Sequence, residues 1–117
     1  MKGIKIATTG TVDIIKLSHP LYKSLQEVIG GHIEIVRPKG LPQPYCMIVD
    51  GEGLLKEKDF NPVGSYFYGT QNHGHPIVGD IVLCKETYTN EGLDLDCLLD
   101  DEVAALMKLL PKRGAAK

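Results

Sequence analysis

Hydrophobic and polar positions divide the chain into short segments with different periods. Lys2 to Thr8 alternates, with Ile4 and Ile6 on one face, and predicts a half-buried strand. Gly10 breaks it, and Val12 to Leu17 resumes an extended pattern that would pair with the first as a hairpin. Leu21, Leu25, Val28 and Ile29 then fall at i, i+4, i+7 and i+8, the single apolar stripe of a helix. Ser18 is the expected N-cap, Pro20 is tolerated in the first turn, and Gly30-Gly31 provides the stop. His32 to Val36 alternates again as a strand.

Three prolines between Pro38 and Pro44 enforce a loop, after which Tyr45 to Val49 is a compact apolar run suited to a buried strand. It ends at Asp50-Gly51-Glu52-Gly53, which has the chemistry of a hairpin turn. Asn61-Pro62 predicts an N-cap and a first-turn proline for a short helix through Tyr66-Phe67-Tyr68, stopped at Gly69. Thr70 to Pro76 is a polar loop. Ile77 to Cys84, the most hydrophobic stretch, is the expected central strand, and Leu93 to Leu98 a short edge strand. Asp100 is placed to cap a last helix whose Val103, Leu106, Met107 and Leu110 make its apolar stripe.

Repeated βαβ units are absent from this order. It therefore predicts an α+β domain, a mainly antiparallel sheet with two to three helices packed on it, and on one face. A chain of 117 residues accommodates one core, so residues 1–111 read as a single domain and 112–117 as a flexible tail.

Composition refines this picture at three points. Trp is absent and Phe occurs twice, so Ile, Val and Leu must build the core. The three cysteines, Cys46, Cys84 and Cys97, have neither the number nor the spacing of a disulfide framework or a zinc site. Cys46 and Cys84 sit in apolar runs, where a free thiol behaves as a small core hydrophobe. With a strand pattern starting at the N-terminus and no long apolar run, the expectation is a cytoplasmic protein that engages no membrane.

Charge is unevenly spread. Seven acids and no Lys or Arg lie between Glu86 and Glu102, although the whole chain is only −2. Arg37 and Arg113 are the two arginines, too few to expect sequence-specific nucleic-acid recognition.

A set of segments then resembles a known family. Leu25-Gln26 with Val28, Gly30-Gly31-His32-Ile33-Glu34-Ile35-Val36, Met47-Ile48-Val49-Asp50-Gly51-Glu52-Gly53, Asn61-Pro62 and Pro76-Ile77-Val78-Gly79-Asp80-Ile81-Val82 carry the likeness. In order and spacing they are similar to the phage and plasmid proteins described as domain of unknown function 3846, over Ile4 to Cys84. The resemblance implies an accessory product of a phage, prophage or plasmid. It brings no catalytic residues with it.

Candidate chemistry gathers between the short helix and the central strand. Tyr66 and Tyr68 offer stacking faces, although aromatic residues are packing residues first. His73 and His75 with Asp80 suggest a metal-assisted hydrolase, yet two imidazoles need a third ligand, and a solvated loop with a glycine turn is the favoured reading. Asp50-Gly51-Glu52-Gly53 lacks the lysine of a phosphate loop. Cys84, in an apolar run, lacks the setting of a nucleophile. The acidic stretch from Glu86 to Glu102 suggests a DNA-mimic inhibitor, against the simpler reading of a protected edge strand and a dipole-favoured helix start.

The expected function is a non-enzymatic binding module whose partner is a host protein or a nucleotide-like small molecule. Tyr66, Tyr68, His73, His75 and Asp80 are the candidate ligand residues. No catalytic residue, metal or cofactor is expected, and the oligomeric state stays open. The small hydrolase and the acidic DNA mimic remain as alternatives.

Overall fold

The computed structural model describes residues 1–53, 55–69 and 76–110. The chain order is β1 (Lys2–Ile6), β2 (Val12–Lys16), α1 (Leu21–Ile29), β3 (Ile33–Val36), β4 (Tyr45–Asp50), α2 (Pro62–Tyr68), β5 (Ile81–Thr89), β6 (Gly92–Asp96) and α3 (Asp100–Leu109). The strands form one antiparallel sheet in the order β2-β1-β5-β4-β3, with β6 added on β5. This is the expected α+β architecture.

The nine-residue β5 organises the sheet. Leu83 faces Met47 of β4 on one side and Ile4 of β1 on the other, while Lys85 faces Tyr45 of β4 and Asp96 of β6. One flank of β5 is thus covered by β4, and the other by β1 and then β6 in succession.

Both faces of the sheet are buried, and this corrects the expectation of helices on one face. Ile4, Ile6, Met47, Ile81 and Leu83 pack with Phe67 of α2 and with Val103 and Leu106 of α3. Cys46, Ile48, Val82 and Cys84 pack on the other face with Leu25 and Ile29 of α1. The compact runs of β4 and β5 required it, because strands without a polar face need cover on both sides.

Several boundaries move for local reasons. The strand expected over Ile77–Cys84 is interrupted at Gly79, whose φ of 78° is left-handed, so β5 starts at Ile81 and continues to Thr89. Asp50-Gly51 is a turn but not a hairpin, because β4 pairs back with β3 and the chain proceeds to α2. Ser18 does not cap α1; its N–H donates to Ser24 Oγ at 3.2 Å, and Pro20 occupies the cap position. Leu99 precedes α3, and its N–H donates to Glu102 Oε1 at 2.9 Å, leaving Asp100 inside the first turn. Met107 lies off the buried stripe and is exposed. The tail assigned to 112–117 lies outside the described residues.

Candidate functional site

Of the expected ligand residues, His73 and His75 lie outside the described residues. Tyr66 is exposed, its ring edge-on to the buried Phe67 at 5.6 Å. Tyr68 lines a depression with Glu34, Glu52 and Leu55. Asp80 borders a different one, with Thr8, Lys58 and Asp59. The structure therefore does not bring Tyr68 and Asp80 together in one cavity. Asp80 is engaged in the fold: its carboxylate accepts the Thr8 N–H at 3.1 Å and stands 3.6 Å from Lys5 Nζ.

The other conspicuous sequence motifs are structural as well. The Asp50 side chain is fully buried and paired with Lys56 at 2.9 Å and Lys58 at 2.6 Å. Lys58 also donates to the Ile29 carbonyl at 3.1 Å, tying the C-terminus of α1 to the end of β4. Burial opposes the Asp50 charge, but hydrogen bonds from Lys58, Lys56 and the Glu52 N–H outweigh it and lower its pKa to about 2. The buried Asn61 accepts the Gly64 N–H at 3.0 Å and donates to the carbonyls of Ile6 at 3.0 Å and Gly79 at 2.9 Å. It caps α2 and ties it to the end of β1 and to the turn that precedes β5.

The cavity of greater chemical interest lies at the opposite end of β5. The loop after β3 and the β5–β6 hairpin enclose a cleft of 420 Å³, bordered by Arg37, Lys39, Leu41, Tyr45, Glu86, Tyr88 and Leu93 among others. Arg37 donates from Nε and Nη2 to the two oxygens of Glu86, at 2.6 and 2.7 Å. Glu86 is only 9% exposed, whereas the Arg37 side chain is 57% exposed. A buried carboxylate thus fixes the plane of a guanidinium that still meets solvent, and the fork geometry suits Arg where Lys would not do. The hydrogen bond to Glu86 and the charge of that carboxylate raise the Arg37 pKa, so the cation is permanent.

Behind the pair, the Cys46 thiol is pushed up to about 12, by burial first and the Glu86 charge second. Tyr45 is also raised, by burial and then by Glu102, whose Oε2 accepts its hydroxyl at 3.5 Å. With Lys39 beside Arg37, the charged groups of the cleft sum to +1. Tyr88, at the rim, is 87% exposed.

Sequence reasoning missed this pair because 49 positions separate the partners. One signal was available: strand alternation puts Glu86 on the same face as the buried Cys84, where a carboxylate requires a cation.

The acidic segment is largely occupied internally. Glu86 holds Arg37, Asp100 meets Lys2 at 2.6 Å, and Glu102 meets Lys85 at 2.7 Å. Asp94 and Asp96 accept the N–H groups of Leu95 and Cys97, both at 2.8 Å. Among the described residues, no group of three or more His, Cys, Asp and Glu side chains is arranged to hold a metal. No described helix is long and apolar enough to cross a membrane.

A sheet with buried ion pairs and a cationic, aromatic-rimmed cleft defines an α+β domain with a candidate ligand site. The chain belongs to the family described as domain of unknown function DUF3846, whose model matches residues 1–109. The match includes the C-terminal segment beyond Tyr88, which the sequence resemblance had not reached. No curated protein matches the chain. Among solved structures, the crystal structure of the small RNA methyltransferase HEN1 is similar, with a TM-score of 0.59 and 18% identity over 87% of this chain. The chain spans about 15% of that protein's length, and the likeness is one of fold.

Proposed function

We propose that the chain is a non-enzymatic binding module of a phage, prophage or plasmid, acting in the bacterial cytoplasm. In this reading the cleft beside Arg37 holds a small ligand with an anionic group and a planar apolar part, as a nucleotide has. The mobile-element setting rests on the family resemblance. The ligand class rests on one observation: Arg37 is oriented by the buried Glu86 yet remains exposed at the cleft.

The physical case is preorganisation. An arginine already locked by a bidentate pair loses little side-chain entropy when it meets an anion. Lys39 adds a second cation, and Tyr88 offers an aromatic face at the rim. Glu86 limits the cleft's attraction for anions, so affinity also requires contact with the apolar wall formed by Leu41 and Leu93.

The test is an amide NMR titration of the protein with adenosine monophosphate, run in parallel with adenosine and with inorganic phosphate. Shifts centred on Lys39, Tyr88 and Leu93, larger for the nucleotide than for either fragment and absent in Arg37→Ala, are expected. Shifts centred on Tyr66, Tyr68 and Asp80, or unaffected by Arg37→Ala, would overturn the assignment.

A further inference from the structure

Two of the three cysteines face each other across the sheet, and the third follows the end of β6. Cys46 and Cys84 are register partners on β4 and β5, and both are fully buried on the α1 face. On the other flank of β5, Lys85 pairs with Asp96 as the last pair of the ladder; Cys97 follows, its Sγ donating to Asp96 Oδ1 at 3.6 Å, before Leu98 bridges to Lys2 of β1. Leu95, two residues before Cys97, packs on the same core as Cys84.

The two neighbours of Cys84 are not equivalent. Glu86 N–H donates to the Pro44 carbonyl at 3.0 Å, so by alternation the backbone groups of Cys84 also point toward β4. Cys46 and Cys84 therefore form a hydrogen-bonded pair, with Cα atoms about 5.5 Å apart in ordinary sheets. Toward β6, one further step of the ladder beyond Lys85 and Asp96 brings Cys97 to a non-hydrogen-bonded position against Cys84, where Cα atoms in ordinary sheets approach to about 4.5 Å. The Cys97 N–H agrees, because it is bound by Asp96 Oδ1 at 2.8 Å and not by β5. Access differs too: Cys46 and Cys84 are sealed, whereas Cys97 is only partly buried.

We propose that Cys84 and Cys97 are an oxidisable dithiol, closed to an intramolecular disulfide by hydrogen peroxide. Cys97, the accessible thiol, takes one oxygen from the peroxide, giving a sulfenic acid and one water. The Cys84 sulfur then attacks the Cys97 sulfur. The S–S bond forms as the S–O bond breaks, and the Cys84 proton leaves with the hydroxyl as a second water. Two thiols lose two electrons and the peroxide gains them. Burial raises the Cys84 pKa, so the second step is the slower one and accelerates as pH rises. The crosslink staples the base of the β5–β6 hairpin, whose Tyr88 and Leu93 border the cleft.

Peroxide treatment of the purified protein, followed by alkylation after unfolding and peptide mapping, tests this. A monomer lighter by two hydrogens is expected, with Cys84 joined to Cys97 and Cys46 alkylated. Cys97→Ser, a substitution at a partly exposed site, should abolish the link without loss of fold. A Cys46–Cys84 link, a dimer joined through Cys97, or three alkylatable thiols after treatment would each overturn the proposal.

Discussion

Asp50 has a side chain with no solvent exposure and two lysines on the same oxygen. Removing it leaves Lys56 and Lys58 facing each other across a gap, and breaking such a pair costs about 3 kcal/mol when the carboxylate is buried. The folded-state pKa of about 2 lies below the ordinary carboxylate value of about 3.9. The stabilisation is therefore complete above pH 4 and is lost as pH falls toward 2. Urea denaturation of wild type and Asp50→Asn at pH 7 and pH 3 should show a difference that shrinks at the lower pH. A difference independent of pH would contradict the ion pairs. Asn61 makes a sharper case. Asp is as good an N-cap as Asn elsewhere, but here it cannot donate to the carbonyls of Ile6 and Gly79. Asn61→Asp should therefore destabilise by about 2 kcal/mol or more, no less than Asn61→Ala, as read from thermal unfolding.

At the scale of elements, β6 shows what the acidic segment does. The residues that alternate away from β5 present their N–H groups at a free edge, and Asp94 and Asp96 fold back onto those of Leu95 and Cys97. The edge is blocked by occupied donors and by charge together. Replacing both aspartates by alanine should shift the protein toward larger species in light scattering. Replacement by asparagine, which keeps the acceptor, should shift it less. Equal behaviour of the two variants would mean that charge alone protects the edge.

Element identity was legible where the pattern was regular. The stripe at Leu21, Leu25, Val28 and Ile29 specified α1, and Asn61-Pro62 with Gly69 specified α2. Legibility failed where a backbone decision overrode hydropathy. Gly79 turns left-handed between two apolar pairs that otherwise read as one strand, and the polar Lys85 to Thr89 is strand because β6 pairs with it. The candidate ligand residues were chosen by closeness in sequence. The cleft is built by closeness in space, from Arg37 after β3 and Glu86 within β5, and no local pattern encodes that meeting.

For the whole molecule, the two-faced core leaves little freedom in the sheet, and the ends of β5 are where surface chemistry concentrates. One end is consumed by Asn61, Asp80 and the Asp50 network in holding elements together. The other presents Arg37, Lys39 and Tyr88 around a cleft of 420 Å³, the lower part of the range for small-molecule sites. Glu86 is the positioning residue there. Glu86→Gln, which keeps the shape and one acceptor, should weaken ligand binding less than Arg37→Ala while lowering stability by about 1–2 kcal/mol, because a buried partner is only partly replaced.

The most direct measurement is native mass spectrometry of the protein purified gently from its own expressing cells, wild type beside Arg37→Ala. The account predicts a discrete added mass of a few hundred daltons (roughly what a site of this volume encloses) on the wild type, released on denaturation and missing from the variant. A bare mass for both, or the same added mass on both, would contradict a ligand held at Arg37.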